Sequence, residues 1–310
     1  MKQTNKFVYT YTYSLEEQSL CMLEMRTFFN DGIKESFVVS EIEVNPDRSP
    51  FLRERIDVLF EGKTIQELED AVTNIDHPEQ TFKIICSKHS ELPFSYQDRR
   101  SIERKLGAVI KSEADMHHPD IYYGVFAAED NWYFGRYQKS EAVWLKHIKK
   151  PQQYSTALST RVARSIVNIA IPDPEGVRAI DPCCGIGNVL VEALSMGIRM
   201  EGRDINHLAA KGARENIAYF GLEGSVTSGP ISEAEGYYDA AIIDLPYNLY
   251  THITEDEQFD IIKHARRISK RAVIVSVAEI EDKIAQTGFS IKDRGLAVKS
   301  QFSRHIYVCE

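Results

Sequence analysis

Long apolar runs are missing from this sequence: no stretch approaches the length of a membrane-spanning helix. The opening Met1-Lys2-Gln3-Thr4-Asn5-Lys6 also lacks the apolar core of a signal peptide. Cysteine is sparse. Cys21, Cys86, Cys183, Cys184 and Cys309 are odd in number and show no paired metal-ligand spacing, which argues against a disulfide framework and against a zinc site. The expectation is a reduced, cytoplasmic protein with no metal. Positive charge is in deficit as well, with 37 Lys and Arg against 46 Asp and Glu. The net charge of -9 argues against an indiscriminate polyanion binder. What remains, 310 residues at 43% hydrophobic and 27% charged, is a soluble globular chain long enough for two or three domains.

Charge is unevenly placed. Residues 1–80 carry 8 Lys and Arg against 16 Asp and Glu, whereas residues 81–152 carry 12 against 9. A nucleic-acid surface would therefore be local, in the middle section. The first eighty residues read as a small ferredoxin-like α/β region with no evident chemistry. Phe7 to Tyr13 alternates at period two as a half-buried strand. Ser14-Leu15-Glu16-Glu17 opens a capped helix, Phe37 to Val44 is a second strand, and Thr64 to Leu68 begins another capped helix.

From Thr81 the pattern is strand (Phe82 to Cys86), basic amphipathic helix (Gln97 to Ile110), strand (Ile121 to Ala127) and strand (Trp132 to Arg136). A small sheet covered by a helix on one side follows. Arg99, Arg100, Arg104 and Lys105 on that helix are candidate phosphate contacts, although a charged helix face is commonly just solvated. His117 and His118 are neighbours whose side chains would diverge on a strand, so a turn is predicted there rather than a metal site. Lys149 to Gln153 begins a linker, placed at 149–157.

The second half carries the chemistry. An amphipathic helix from Leu158 to Ala170 is followed by a strand, Val177 to Asp181, running into Pro182-Cys183-Cys184-Gly185-Ile186-Gly187-Asn188 and then a helix. The glycines permit a tight strand-to-helix turn and close backbone approach to a ligand. The next strand ends at Asp204, 17 positions after Gly187, where a carboxylate can accept the ribose hydroxyls of a nucleoside cofactor. Later elements are a strand at Asp239 to Ile243, a helix at Ile261 to Ser269, a strand at Ala272 to Ser276, a helix at Ile280 to Thr287 and a terminal hairpin.

Asp244-Leu245-Pro246-Tyr247-Asn248 closes the strand that begins at Asp239. In an open α/β sheet that end is where ligands bind. The Asp244 carboxylate and the Leu245 carbonyl can each accept an N–H of a heterocyclic exocyclic amine, Pro246 fixes the turn, and Tyr247 offers a ring for stacking. A Pro-containing turn of purely structural use reads the same way on these residues alone. Three features favour a methyltransferase over a dehydrogenase: Asp181 at the strand end, Asn188 in place of a third glycine, and the terminal hairpin. S-adenosylmethionine carries a sulfonium and no phosphate, so an acidic turn that does not cradle pyrophosphate suits it.

The strand, basic helix, Pro119-Asp120 strand entry and Trp132 strand ending in Gly135-Arg136 resemble a THUMP domain, an RNA-binding module. Together with the second half, they resemble the tRNA guanosine N2-methyltransferases that join a THUMP region to a Rossmann-like catalytic domain, including enzymes acting at guanosine 10. The resemblance implies a Rossmann-like methyltransferase domain at 158–310, a THUMP-like region at 81–148, S-adenosyl-L-methionine as cofactor and tRNA as partner. It further implies that Asp181, Cys184, Gly185, Gly187 and Asn188 hold the methionine end, and that Asp204 and Ile205 hold the ribose side. Ser155 falls in an additional cofactor-contacting segment. Asp244 and the Leu245 carbonyl would bind the guanine amine, with Pro246 fixing the turn of this catalytic motif and Tyr247 on the base.

Two stretches depart from that pattern. Leu245 and Asn248 replace a Pro and a Gly; Leu keeps the backbone acceptor and Asn tolerates a left-handed conformation. Ser228-Gly229-Pro230 stands where an Asp commonly receives the adenine amine, which leaves Ser228 or the backbone to hold adenine. Adenine N6-methylation of RNA or DNA, and a non-catalytic RNA-binding protein with a decayed cofactor pocket, stay open as alternatives.

Overall fold

The computed structural model describes residues 5–155, 157–246, 253–299 and 302–310. The chain forms two compact units. The first comprises residues up to Thr12, Phe29–Asp47 and Phe51–Glu141; the second comprises Tyr13–Phe28, Arg48–Pro50 and Ala142–Glu310.

The first unit is a six-stranded sheet of order β2-β1-β3-β6-β5-β4. Its strands are β1 (Phe7–Tyr11), β2 (Phe37–Ser40), β3 (Leu52–Gly62), β4 (Phe82–Cys86), β5 (Ile121–Ala127) and β6 (Trp132–Lys139). All neighbours are antiparallel except β4 and β5, which are parallel and joined through a helix. Between β1 and β2 lies α1 (Gln18–Phe29); α2 (Ile65–Val72) follows β3 and α3 (Tyr96–Gly107) follows β4. Leu68 and Val72 of α2 and Leu106 of α3 are buried with Ile84, Tyr123 and Phe134 from the sheet. Both helices start where the sequence caps them, with Thr64 and Ser95 side chains accepting the N–H of Glu67 and Asp98.

The division expected at residue 80 falls inside this sheet, because β3 is the hydrogen-bonded neighbour of β6. Strand β3 itself has no counterpart among the sequence expectations. Its outward positions are charged (Arg53, Arg55, Asp57) and mask the alternation, yet Leu52, Ile56 and Val58 face the core. The turn expected at His117 and His118 is present, with both backbone N–H groups donating to Asp115 Oδ1.

The second unit holds a seven-stranded sheet of order β12-β13-β11-β10-β7-β8-β9. Its elements in chain order are α4 (Thr160–Ala170), β7 (Arg178–Asp181), α5 (Asn188–Ser195), β8 (Arg199–Asp204), α6 (His207–Tyr219), β9 (Val226–Ser228), β10 (Tyr238–Asp244), α7 (Glu255–Ile268), β11 (Ser269–Ser276), α8 (Glu281–Gln286), β12 (Ile291–Lys299) and β13 (Phe302–Cys309). Strands β7 to β11 are parallel; β13 runs antiparallel beside β11, and β12 pairs with β13. The chain winds outward from β7 in one direction through β8 and β9, then returns to the other side of β7 with β10. The crevice at the carboxyl ends of β7 and β10 is thus a topological switch point.

Helix α7 begins at Glu255, earlier than the expected Ile261, because Thr254 and Glu257 form a capping box. Helix α1 also belongs largely to this unit. Its Arg26 makes a two-pronged pair with Asp293 at 2.9 Å, and Ser19 accepts the Leu296 N–H.

Close backbone approach fixes one position in the first sheet. A Cβ added at Gly135 would lie 1.8 Å from the Asp57 carbonyl oxygen. Gly135→Ala is therefore expected to push β6 away from β3 and destabilise the protein by about 1–3 kcal/mol or more. A urea midpoint equal to that of the parent would contradict the close approach.

Candidate active site

Asp181 ends β7, and the chain then turns through two left-handed glycines, Gly185 at φ 53° and Gly187 at φ 80°. The two glycines serve different purposes. A Cβ on Gly187 would crowd Ala213 of α6 at 3.0 Å, so this glycine lets α5 pack close. A Cβ on Gly185 would meet nothing within 4 Å, so this one faces the open crevice. The Gly185 N–H donates to Asp204 Oδ2 at 2.7 Å, and the Asn206 N–H donates to Asp204 Oδ1 at 2.8 Å, which pins the tip of β8 to the turn.

Asn188, the first residue of α5, donates from Nδ2 to the Leu158 carbonyl at 2.6 Å. Its Oδ1 is buried and has no hydrogen-bond partner among the described residues. An unfilled acceptor beside the glycine turn is a place for a ligand N–H. Asn216 holds the other side. Buried in α6, it donates to the Ile186 and Gln152 carbonyls and accepts the Gln152 N–H, so the expected linker is fastened to the turn.

Two connected cavities occupy the crevice. The first, of about 260 Å³, is lined by Asp181, Cys184, Gly185, Asn188, Asp244 and Leu245, with Tyr154, Ala157 and Leu158 from the preceding segment. The second, of about 440 Å³, lies towards α7 and shares Cys183, Asp204, Ile205 and Pro246 with the first. Ile205 is 76% exposed at the tip of β8, an apolar side chain that a flat ligand would cover.

The electrostatics are lopsided. Burial raises the Asp181 carboxyl well above the usual carboxylate range, and the Asp204 and Asp244 charges add to the rise. Asp204 is raised by burial, against the two N–H groups that it accepts. Asp244 is pushed up to about 6 by burial, with Arg304 opposing. The Arg304 Nε lies 3.8 Å from Asp244 Oδ1. Three acids around one crevice fit a ligand that brings positive charge.

Asp181, Cys184, Gly185, Asn188, Asp204, Ile205, Asp244, Leu245 and Pro246 thus come together at one site. Tyr247 and Asn248 lie outside the described residues. Ser155 and Ser228 are exposed and line neither cavity; Tyr154, Ala157 and Leu158 take the first place, and Gly229 to Ser232 the second. Gly187 acts through packing. Sequence reasoning missed Arg304. No local pattern marks it: β13 pairs Ile306 with Val275, whose other neighbour is Asp244, and so reaches the crevice edge only in the assembled sheet.

The basic helix α3 lies in the first unit. Arg99 donates to the Phe94 carbonyl, Arg100 pairs with Glu103 at 2.5 Å and Lys105 with Glu69 at 2.9 Å, while Arg104 is exposed. No group of His, Cys, Asp and Glu suited to a metal ion occurs among the described residues. No helix of the described residues is long and apolar enough to cross a membrane.

Residues 148–258 match UPF0020, the RMKL-like methyltransferase domain family. The sheet order and this match make the second unit a Rossmann-like methyltransferase fold. The chain is 28% identical over 194 residues to the tRNA (guanine(10)-N2)-dimethyltransferase of Methanothermobacter thermautotrophicus, covering 59% of this chain and 57% of that protein. It is 24% identical over 273 residues to the enzyme of the same name from Pyrococcus abyssi, covering 82% of each. A likeness to TrmN from Thermus thermophilus has a TM-score of 0.49 at 15% identity, over 98% of this chain and 99% of that one.

A raised carboxyl binds more protons folded than unfolded. Stability therefore falls as pH rises from the unfolded value of about 4 through the folded one, and the cost is complete only above the folded value. Asp181→Asn removes the most buried of these charges. It is expected to raise the thermal midpoint at pH 7.5 by a few degrees, a shift that corresponds to about 1 kcal/mol. A lowered midpoint would show that the carboxylate is instead held by partners within the fold.

Proposed function

We propose that this chain is an S-adenosylmethionine-dependent RNA methyltransferase that methylates the exocyclic N2 of a guanosine in tRNA. The observation that carries the reading is the juxtaposition of Asp244-Leu245-Pro246 on β10 with the Asp181 and Asp204 crevice on β7 and β8. The names of the two archaeal relatives agree with it.

When bound, S-adenosylmethionine supplies an electrophilic methyl group on a sulfonium. Asp181 would take its ammonium, Asn188 Oδ1 would accept a further N–H, and the amino end of α5 would suit its carboxylate. Asp204 accepts a ribose hydroxyl. Asp244 and the Leu245 carbonyl would hold the two N–H bonds of the guanine amine, leaving its lone pair free for the methyl donor. Orientation and partial charge stabilisation do most of the work. The nitrogen would gain a bond to the methyl carbon as the carbon–sulfur bond breaks and its electron pair returns to sulfur, leaving a neutral thioether, and the extra proton would leave to Asp244 or water. The first unit is assigned to RNA as a THUMP-like region, with the exposed face of α3, Arg99 to Lys105, towards phosphates.

Asp244 accepts the amine only when ionised, so kcat/KM falls as pH drops through about 6. Arg304 favours that ionised form. Arg304→Gln is expected to move the acid limb to higher pH, whereas an unmoved limb would remove Asp244 titration from the scheme. Asp244→Ala is expected to lose at least a hundredfold in transfer while keeping S-adenosylhomocysteine affinity within a few fold. Mass spectrometry of nucleosides from treated tRNA tests the reaction itself. Dominant N2-methylguanosine or its dimethyl form supports the reading, and N6-methyladenosine or no product overturns it.

A further inference from the structure

Part of the polar backbone in the loop after β9 is already committed. The Gly229 N–H donates to the Asp204 carbonyl at 2.9 Å, and the Pro230 carbonyl accepts from Arg203 Nε at 2.8 Å. Gly229 itself sits at φ 143°, and an added Cβ would strike the Arg203 guanidinium at 2.3 Å. This loop walls the 440 Å³ cavity with Gly229, Pro230, Ile231 and Ser232, and so brings no carboxylate to an adenine amine. The opposite wall is different. It consists of one face of α7, with Glu257, Asp260, Ile261 and His264 at helical spacing.

On that face the Glu257 carboxylate is occupied by the Thr254 N–H and hydroxyl, as the helix cap. Asp260 and His264 remain. Arg267 Nε donates to His264 Nδ1 at 3.3 Å, and Arg267 also grips the carbonyls of Ser232 and Ala234. Burial and the Arg267 charge lower the His264 pKa, so the ring is neutral at physiological pH. With Nδ1 accepting, the ring proton sits on Nε2, and the side chain presents a donor. Asp260, near enough to His264 to influence its charge, presents an acceptor.

We infer that Asp260 and His264 of α7 read the Watson–Crick edge of the cofactor's adenine: Asp260 accepts from the N6 amine and His264 Nε2–H donates to N1. Ile205, Ile261 and Pro246 supply the apolar faces for the ring. The inference rests on the cofactor reading given above and explains how adenine is held without an acid in the β9 loop. Hypoxanthine reverses both partners, offering a carbonyl where adenine has an amine and an N–H where adenine has a lone pair.

The test is calorimetric titration of the full chain with S-adenosylhomocysteine and with its deaminated analogue, S-inosylhomocysteine. The parent is expected to prefer the adenine form by roughly tenfold or more, the range that a matched pair of hydrogen bonds provides. Asp260→Asn, whose amide can serve either partner, and His264→Leu are each expected to bring that ratio close to one. The ratio is insensitive to a general loss of affinity. A parent with no preference, or variants that keep the parent ratio, overturns the inference while leaving the methyltransferase reading intact. No binding of either ligand to the parent defeats both.

Discussion

Three carboxylates crowd the switch point of the second sheet, and the layout of that unit follows from how they are brought there and left short of compensation. Asp181, Asp204 and Asp244 end adjacent or next-adjacent parallel strands, a placement fixed by the order β10-β7-β8. Each has its pKa raised by burial. Arg304 is the cation that opposes this at Asp244, across a separation of 3.8 Å. A fold that holds acids in this condition gives up stability at a place where a cationic ligand recovers it, a trade common at functional sites.

The surrounding scaffold serves to keep those acids in place without neutralising them. Backbone N–H groups of Gly185, Asn206 and Cys183 orient Asp204 and Asp181 while supplying no full charge. Asn216 and Asn188 use amide groups to stitch α6, α5 and the segment before α4 around the glycine turn. Amides can do this in a buried setting because they carry donors and acceptors without the desolvation cost of an ion. Deeper in the same unit, a buried carboxylate is closely partnered. Arg164 and His147 both reach Glu192 of α5, one turn beyond Asn188.

Much of this was legible in the sequence. The strand, Gly185-x-Gly187 turn and helix were readable because a turn that tight leaves few residue types open, and Asp204 and Asp244 were readable because each follows an apolar run. Other features were hidden for physical reasons. Strand β3 carries so many charges on its outward face that its alternation does not register as hydrophobic, and its pairing with β6 is a long-range fact. Arg304 reaches Asp244 from the far end of the chain, and no local pattern announces that. The early start of α7 was available in Thr254 and Glu257, and with it the face that carries Asp260 and His264. Ser155 and Ser228 were near misses in sequence; in space their neighbours line the crevice and they do not.

The central claim is that the acid crevice is matched to a ligand bearing positive charge. Calorimetric titration of S-adenosylmethionine at pH 6, repeated in buffers of different ionisation enthalpy, counts the protons exchanged on binding. The account predicts net proton release, because the cation drives raised carboxyls to ionise, and a smaller release with the uncharged thioether of S-adenosylhomocysteine. Proton uptake, or equal exchange for the two ligands, would contradict it.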